Sequence, residues 1–345
     1  MNPAEIDAAK LLLARLGFRP EDLIGSADRA RPIPTFSEYV DDLQAAVPPG
    51  TRRAYGPYWH RIVNEWGHRR LTEPTHLEIR EIIERTKQQA VVRRNSRGGR
   101  SAAEHMVNAL RALYRQAEAD GHIPQADNPA QHIVKPRRLP NNRRAIPDHL
   151  LAEINRVAAS TGNDPELDTL ILRLHIETAC RRSGALALRP QDLDREQCLI
   201  QLREKGGTTR WQPVSPTLMA SLIQHIERGA AEGEQLLRYR TGAPITGRRY
   251  DYIWNRIGKH LRPVATQQIT AHWLRHTTLT WVERHFGYAV ARAFAGHAEF
   301  SGHAGATLTY VRATVQEVSD ALAAMTGENH PMASPRDNSS PATAA

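Results

Sequence analysis

No stretch of this sequence approaches the roughly 18 consecutive apolar residues of a membrane span, so no membrane association is expected. The opening Met1-Asn2-Pro3-Ala4-Glu5 has no basic region leading into an apolar core, so no secretory signal is expected either. Cysteine is scarce: Cys180 and Cys198 are the only two in 345 residues. They form no zinc-type spacing and cannot build a disulfide framework, which points to a reducing, cytoplasmic setting. Ordinary apolar content with a negative mean hydropathy leaves a soluble chain long enough for two domains and some arms.

The chain does carry positive charge, a formal excess of +9. Much of it sits in Arg93-Arg94-Asn95-Ser96-Arg97-Gly98-Gly99-Arg100 and in Lys135-Pro136-Arg137-Arg138. Basic clusters on loops beside helices suit a phosphate backbone, because each neutralised phosphate releases counterion. Arg93, Arg94, Arg97, Arg100, Lys135, Arg137 and Arg138 are therefore candidate DNA contacts. Taken alone, either cluster is equally well explained as a solvated surface run.

The hydrophobic pattern predicts a mainly α fold with a small β-hairpin in its C-terminal half. Residues 3–25 read as a helix ended near Pro20, the core of an N-terminal extension spanning 1–30. Residues 31–140 read as an all-helical module. Its four helices follow Thr35, Thr51 (a plausible N-cap after the break at Pro48-Pro49-Gly50), Thr75 and Ser101. The proline-rich, basic stretch 128–142 reads as the linker that closes the module. Residues 141–326 alternate helices with the apolar runs Cys198–Leu202 and Trp211–Val214, a strand, a glycine-containing turn and a strand. Residues 327–345, rich in Ser, Pro, Asn and Ala, read as a disordered tail.

Polar residues of this second half are arranged to handle a phosphate. Lys205 lies at the hairpin tip beside Gly206-Gly207, where a long cation projects from rigid support. His272 and Arg275, at i and i+3, share a helix face, with Trp273, Leu274 and Leu279 free to pack inward. Arginine offers a planar fork to phosphate oxygens, and histidine a donor or a proton shuttle. A zinc site at His272 and His276 is disfavoured, because Trp273 stands where that motif needs glutamate. Ala295-Gly296-His297 follows a helical stretch, and Tyr310 is the only tyrosine after it. Singly, most of these read as surface or core residues.

Their order and context are what discriminate. Thr178-Ala179-Cys180-Arg181-Arg182-Ser183-Gly184, with Leu188 and Asp192-Leu193-Asp194, resembles the first-arginine box of the tyrosine recombinase (phage integrase) family. Lys205 resembles that family's hairpin lysine, and Arg210 to Val214 its following strand. His272-Trp273-Leu274-Arg275-His276-Thr277 resembles the second box, Gly296-His297 the third, and Tyr310 the nucleophile. Three departures stand out: Ala179-Cys180 for the usual Gly-Leu, Gly184 for a common glutamate, and a longer interval from His297 to Tyr310. His303 lies in that interval, but His297 keeps the preceding Ala-Gly.

The resemblance implies an all-helical core-binding domain and a mixed α+β catalytic domain that cuts and rejoins DNA through a 3′-phosphotyrosyl bond. Catalysis would fall to Arg181, Lys205, His272, Arg275, His297 and Tyr310, with no metal and no cofactor. The partners implied are a double-stranded recombination site and further copies of the chain, a dimer per site and a tetramer in synapse. An accessory DNA-bending or directionality protein, and a place on the nucleoid, are also expected. A non-catalytic DNA-binding relative and a type IB topoisomerase-like enzyme are the alternatives. The terminal helix marked by Val311, Val315, Val318 and Leu322 would pack on its own domain or on a neighbouring protomer.

Making a phenolate at pH 7 from a tyrosine of pKa about 10 costs about 4 kcal/mol. Each well-placed donor to a developing oxyanion returns about 2.7–4 kcal/mol. Arg181 and Arg275 are the natural clamp on the non-bridging oxygens; the resemblance implies Lys205 as the acid for the leaving oxygen, His272 as acceptor or shuttle of the tyrosine proton, and His297 as a hydrogen-bond partner of the phosphate.

Overall fold

The computed structural model describes residues 11–13, 15, 32–91, 98–137, 144–203, 207, 209–296 and 313–335. Among the described residues the chain is mainly helical with one three-stranded antiparallel sheet, and it divides into two compact units, residues 1–140 and 141–345. Of the helix predicted over 3–25, residues 11–13 and 15 are helical and the rest lies outside the described residues.

In the first unit, α1 (Phe36–Ala46), α2 (Pro49–Trp66), α3 (His76–Gln88) and α4 (Arg100–Ala119) are followed by a 3-10 turn at Gln125–Asp127. Thr35 and Thr75 open α1 and α3 with capping boxes: each threonine side chain accepts from a glutamate N–H, and Glu38 or Glu78 accepts the threonine N–H in return. Such a cap stabilises by about 1 kcal/mol. The α2 start departs from the sequence reading. Pro48 is its N-cap and Thr51 lies in its first turn, because Pro49 has no N–H to lose and its fixed φ already suits a helix. Phe36, Trp59, Ile79, Met106, Leu110 and Leu113 form the buried core. The buried Trp59 indole donates to the Ala109 carbonyl (3.0 Å) and the Tyr114 hydroxyl to that of Leu71 (2.9 Å). The start of the predicted linker also belongs to this core, since Ala130 and Ile133 are buried and Arg111 donates to the Ile133 carbonyl.

The second unit runs α5 (Asp148–Ser160), α6 (Pro165–Thr178), α7 (Arg182–Leu186), a 3-10 turn (Pro190–Asp192), β1 (Leu193–Asp194), β2 (Leu199–Arg203), β3 (Thr209–Pro213), α8 (Pro216–Ile226), α9 (Gly247–His260), α10 (Arg262–Gln267), α11 (Ala271–Phe294) and α12 (Val315–Thr326). The sheet order is β1-β2-β3, with Leu193 opposite Ile200 and Gln201 opposite Trp211. The expected hairpin is thus joined by a third, two-residue strand. Buried Asp168 ties α6 to α9 through Arg249 (2.6 Å) and Arg256 (2.7 Å). Burial raises the Asp168 pKa against the pull of the two arginines.

Helix α11 contains a break. Gly287 (φ 82°, ψ 172°) adopts a conformation essentially restricted to glycine, so two helical segments meet there. The second segment and α12 close a separate cluster, in which Val318, Ala321 and Leu322 bury against Val282, Val290, Ala291 and Phe294. The terminal helix therefore packs on its own domain; Val311 lies outside the described residues.

Part of the predicted tail is ordered, a correction to the composition-based reading. Glu328 accepts the Thr217 N–H (3.0 Å) at the start of α8 and pairs with Arg173 (3.1 Å). His330 is buried, with Nε2 on the Cys198 carbonyl (3.2 Å). Two polar anchors hold a segment whose composition alone suggests disorder, and residues 336–345 lie outside the described residues.

Candidate active site

The site is built around one turn. Helix α6 ends at Thr178, and Ala179 takes a left-handed conformation (φ 48°, ψ 23°) before Arg181, which caps α7. That conformation costs a non-glycine residue roughly 1–2 kcal/mol. The penalty is met by a dense set of bonds. The Ala179 N–H donates to the His175 carbonyl (3.0 Å), and the Cys180 N–H to the Thr178 hydroxyl (3.2 Å).

The carbonyls of this turn point at three side chains from three elements. Thr178 O accepts from Arg210 on β3 (3.3 Å), Ala179 O from Arg275 on α11, and Cys180 O from His175 on α6 (3.1 Å). Arg275 is buried, and its second amine donates to the Ala295 carbonyl (2.7 Å). One guanidinium therefore joins the backbone two residues before Arg181 to the backbone two residues before His297. These bonds occupy two of its five N–H donors. Sequence reading expected Arg275 as a phosphate clamp and did not foresee this architectural part.

His272 sits one turn earlier on α11 and is exposed, its ring edge-to-face with His276 at 4.7 Å. Trp273 and Leu274 bury into the main core of the unit, as the helical spacing predicts. Arg181 is half-buried. Gly296 (φ 61°) is required where it stands, because a β-carbon there would run into the Arg210 guanidinium.

Beneath the turn lies a fully buried pair, His175 and Cys180. The Cys180 sulfur is 3.5 Å from His175 Nδ1, and His175 Nε2 is 2.9 Å from the Tyr250 hydroxyl. Burial works against the imidazolium, but the contacts with Cys180 outweigh it and raise the His175 pKa. Burial likewise opposes the Cys180 thiolate, and His175 outweighs it, lowering that pKa. Burial pushes the Tyr250 phenol up.

The hairpin is anchored next to its turn, at Arg203, the last residue of β2. Asp192 is 2% exposed; it receives the Arg203 guanidinium on both oxygens and also accepts the Arg189 N–H (2.9 Å). Lys205 lies outside the described residues, as do His297 and Tyr310. Of the candidate DNA contacts, Arg100, Lys135 and Arg137 are exposed in the first unit; Arg93, Arg94, Arg97 and Arg138 lie outside the described residues. Among the described residues no group of three or more His, Cys, Asp or Glu could hold a metal ion, and no helix is long and apolar enough to cross a membrane.

Sequence reasoning missed His175 and Tyr250, and it saw Arg210 only as part of a strand motif. Nothing in the local sequence joins positions 175 and 250; only the fold does.

The sequence matches the model of the phage integrase family over residues 144–316. It is similar to the tyrosine recombinase XerC of Chromobacterium violaceum, 26% identical over 262 residues, covering 73% of this chain and 82% of that protein. Its fold is similar to a lambda integrase dimer bound to a COC′ core site, with a TM-score of 0.60 at 16% identity, covering 86% of this chain and 83% of the other. It is also similar to a lambda integrase tetramer bound to a Holliday junction, with a TM-score of 0.60 at 15% identity, covering 88% and 90%. The chain belongs to the phage integrase family of tyrosine recombinases, site-specific recombinases that cleave and rejoin DNA.

Proposed function

We propose that this recombinase attacks one phosphodiester with the Tyr310 hydroxyl, expels the 5′ oxygen and holds the DNA as a 3′-phosphotyrosyl ester. Attack of a partner strand's 5′ hydroxyl on that ester reverses the step and releases the tyrosine. Arg181 and Arg275 bind the non-bridging oxygens, Lys205 protonates the leaving oxygen, His272 moves the tyrosine proton and His297 hydrogen-bonds the phosphate. The observation that carries this reading is the Arg275 guanidinium, which ties together the backbone leading into Arg181 and the backbone leading into Gly296-His297. Residues separated by over a hundred positions in sequence thereby converge on one cation.

In this reading residues 31–140 form the core-binding domain, which grips the duplex through Arg93, Arg94, Arg97, Arg100, Lys135, Arg137 and Arg138. Residues 141–326 form the catalytic domain. A dimer occupies each site and a tetramer forms the synapse, in keeping with the lambda integrase assemblies of similar fold. The enzyme works in the cytoplasm on the nucleoid, with an accessory protein setting direction.

The test uses duplexes selected by the wild-type chain from a random-sequence library, then nicked beside the scissile phosphate so that cleavage is trapped. Tyr310→Phe is expected to bind these duplexes with wild-type affinity and to trap no adduct. Adduct formation by that variant would overturn the assignment.

A further inference from the structure

We propose that His175, oriented by Tyr250, is a positioning residue for Arg181: its imidazole holds the Cys180 carbonyl and so fixes the peptide that delivers the arginine. The inference rests on the reading of Arg181 as a phosphate-binding residue. The Cys180 carbonyl and the Arg181 nitrogen belong to one rigid peptide plane. Holding that oxygen sets the orientation of the plane, and with it the direction in which the Arg181 side chain leaves the backbone.

The chemistry fixes the ring. A carbonyl only accepts, so the His175 Nδ1 at 3.1 Å carries the hydrogen. The Cys180 sulfur, 3.5 Å from the same nitrogen, shares that donor. In the neutral imidazole Nε2 is then the acceptor for the Tyr250 hydroxyl at 2.9 Å. Both rings are buried, His175 completely, so neither can touch DNA and any effect on cleavage must pass through the turn. Arg210 and Arg275 already hold the carbonyls of Thr178 and Ala179. His175 completes the series at the one carbonyl directly bonded to Arg181. A displacement of about 1 Å in a catalytic group can cost roughly 100-fold in rate.

The test compares His175→Phe, His175→Asn, Tyr250→Phe and Arg181→Ala on the selected nicked duplex. Each is run with the natural scissile phosphate and with a methylphosphonate, which lacks the negative charge that an arginine clamp would neutralise. His175→Phe keeps a ring but no donor, and its cleavage is expected to slow by roughly 10- to 100-fold with DNA affinity unchanged. Asparagine can present an amide N–H near the Nδ1 position, so His175→Asn should stay within about threefold of wild type. Tyr250→Phe should fall between them. On the methylphosphonate the His175→Phe defect should shrink alongside that of Arg181→Ala, and in the Arg181→Ala background His175→Phe should add no further loss.

Wild-type cleavage by His175→Phe, with Arg181→Ala inactive, would overturn the proposal and leave Arg181 in place. A His175→Phe defect that persists on the methylphosphonate and adds to Arg181→Ala would also overturn it. Wild-type cleavage by Arg181→Ala would remove the reading beneath it. If His175→Phe fails to fold, Tyr250→Phe carries the same two comparisons.

Discussion

Replacing Arg275 with lysine keeps the positive charge and removes the fork, so it isolates geometry from electrostatics. The guanidinium bonds two carbonyls on separate segments, those of Ala179 and Ala295. A lysine ammonium is a single compact head and cannot reproduce that planar, two-armed reach. One buried carbonyl is left without its partner, at a cost of about 1–3 kcal/mol. The loss should appear locally, as amide hydrogen exchange that is about 5- to 150-fold faster in peptides covering 174–184 or 288–296. Cleavage should fall by roughly 100-fold or more, the scale of removing one donor to a developing oxyanion. His272→Ala is the control. Its side chain is exposed, so stability should hold within about 0.5 kcal/mol while cleavage drops. Wild-type exchange and wild-type melting in Arg275→Lys would refute the bridging role.

Gly296→Ala should destabilise the second unit by about 1–3 kcal/mol, since alanine meets both a positive φ and the Arg210 guanidinium. Adding Arg210→Ala should relieve the steric share in thermal melts, and no relief would contradict the contact. His225 accepts the Arg238 N–H at 3.1 Å, and burial, aided by Arg228, lowers its pKa to about 4. The unfolded chain takes up a proton near pH 6.5 that the folded chain refuses. The stability involved is therefore complete above pH 6.5 and is lost as pH falls toward 4, by up to about 3 kcal/mol. His225→Gln should flatten melting midpoints across that window, and an unchanged pH slope would count against it.

Much of the fold was legible because local chemistry dictates it. Thr35 and Thr75 announce their helices through glutamates three residues on, and the glycine-containing turn between two apolar runs announces the hairpin. Pro48 displaced Thr51 as a cap because the sequence offers two competing start signals, and proline at the first helical position prevails. The ordered segment after α12 was hidden because Glu328 and His330 are held by tertiary partners far away in sequence, Arg173, Thr217 and Cys198. The same reason explains what was missed at the site. Motif spacing names Arg181, His272 and Arg275, but Arg275 bridging two carbonyls and His175 leaning on Tyr250 are contacts across the fold. Ala179 is a middle case. The family's usual glycine there hints at a left-handed backbone, and the observed φ of 48° supplies the physical reason.

Chemistry through a single tyrosine leaves a covalent bond to DNA, and that bond can be mapped. The wild-type chain is trapped on the nicked duplex, digested, and the DNA-linked peptide is sequenced by mass spectrometry. One adduct is expected, on Tyr310, joined through a 3′ phosphate. An adduct on any other residue, or cleavage that leaves no protein on the DNA, would contradict it.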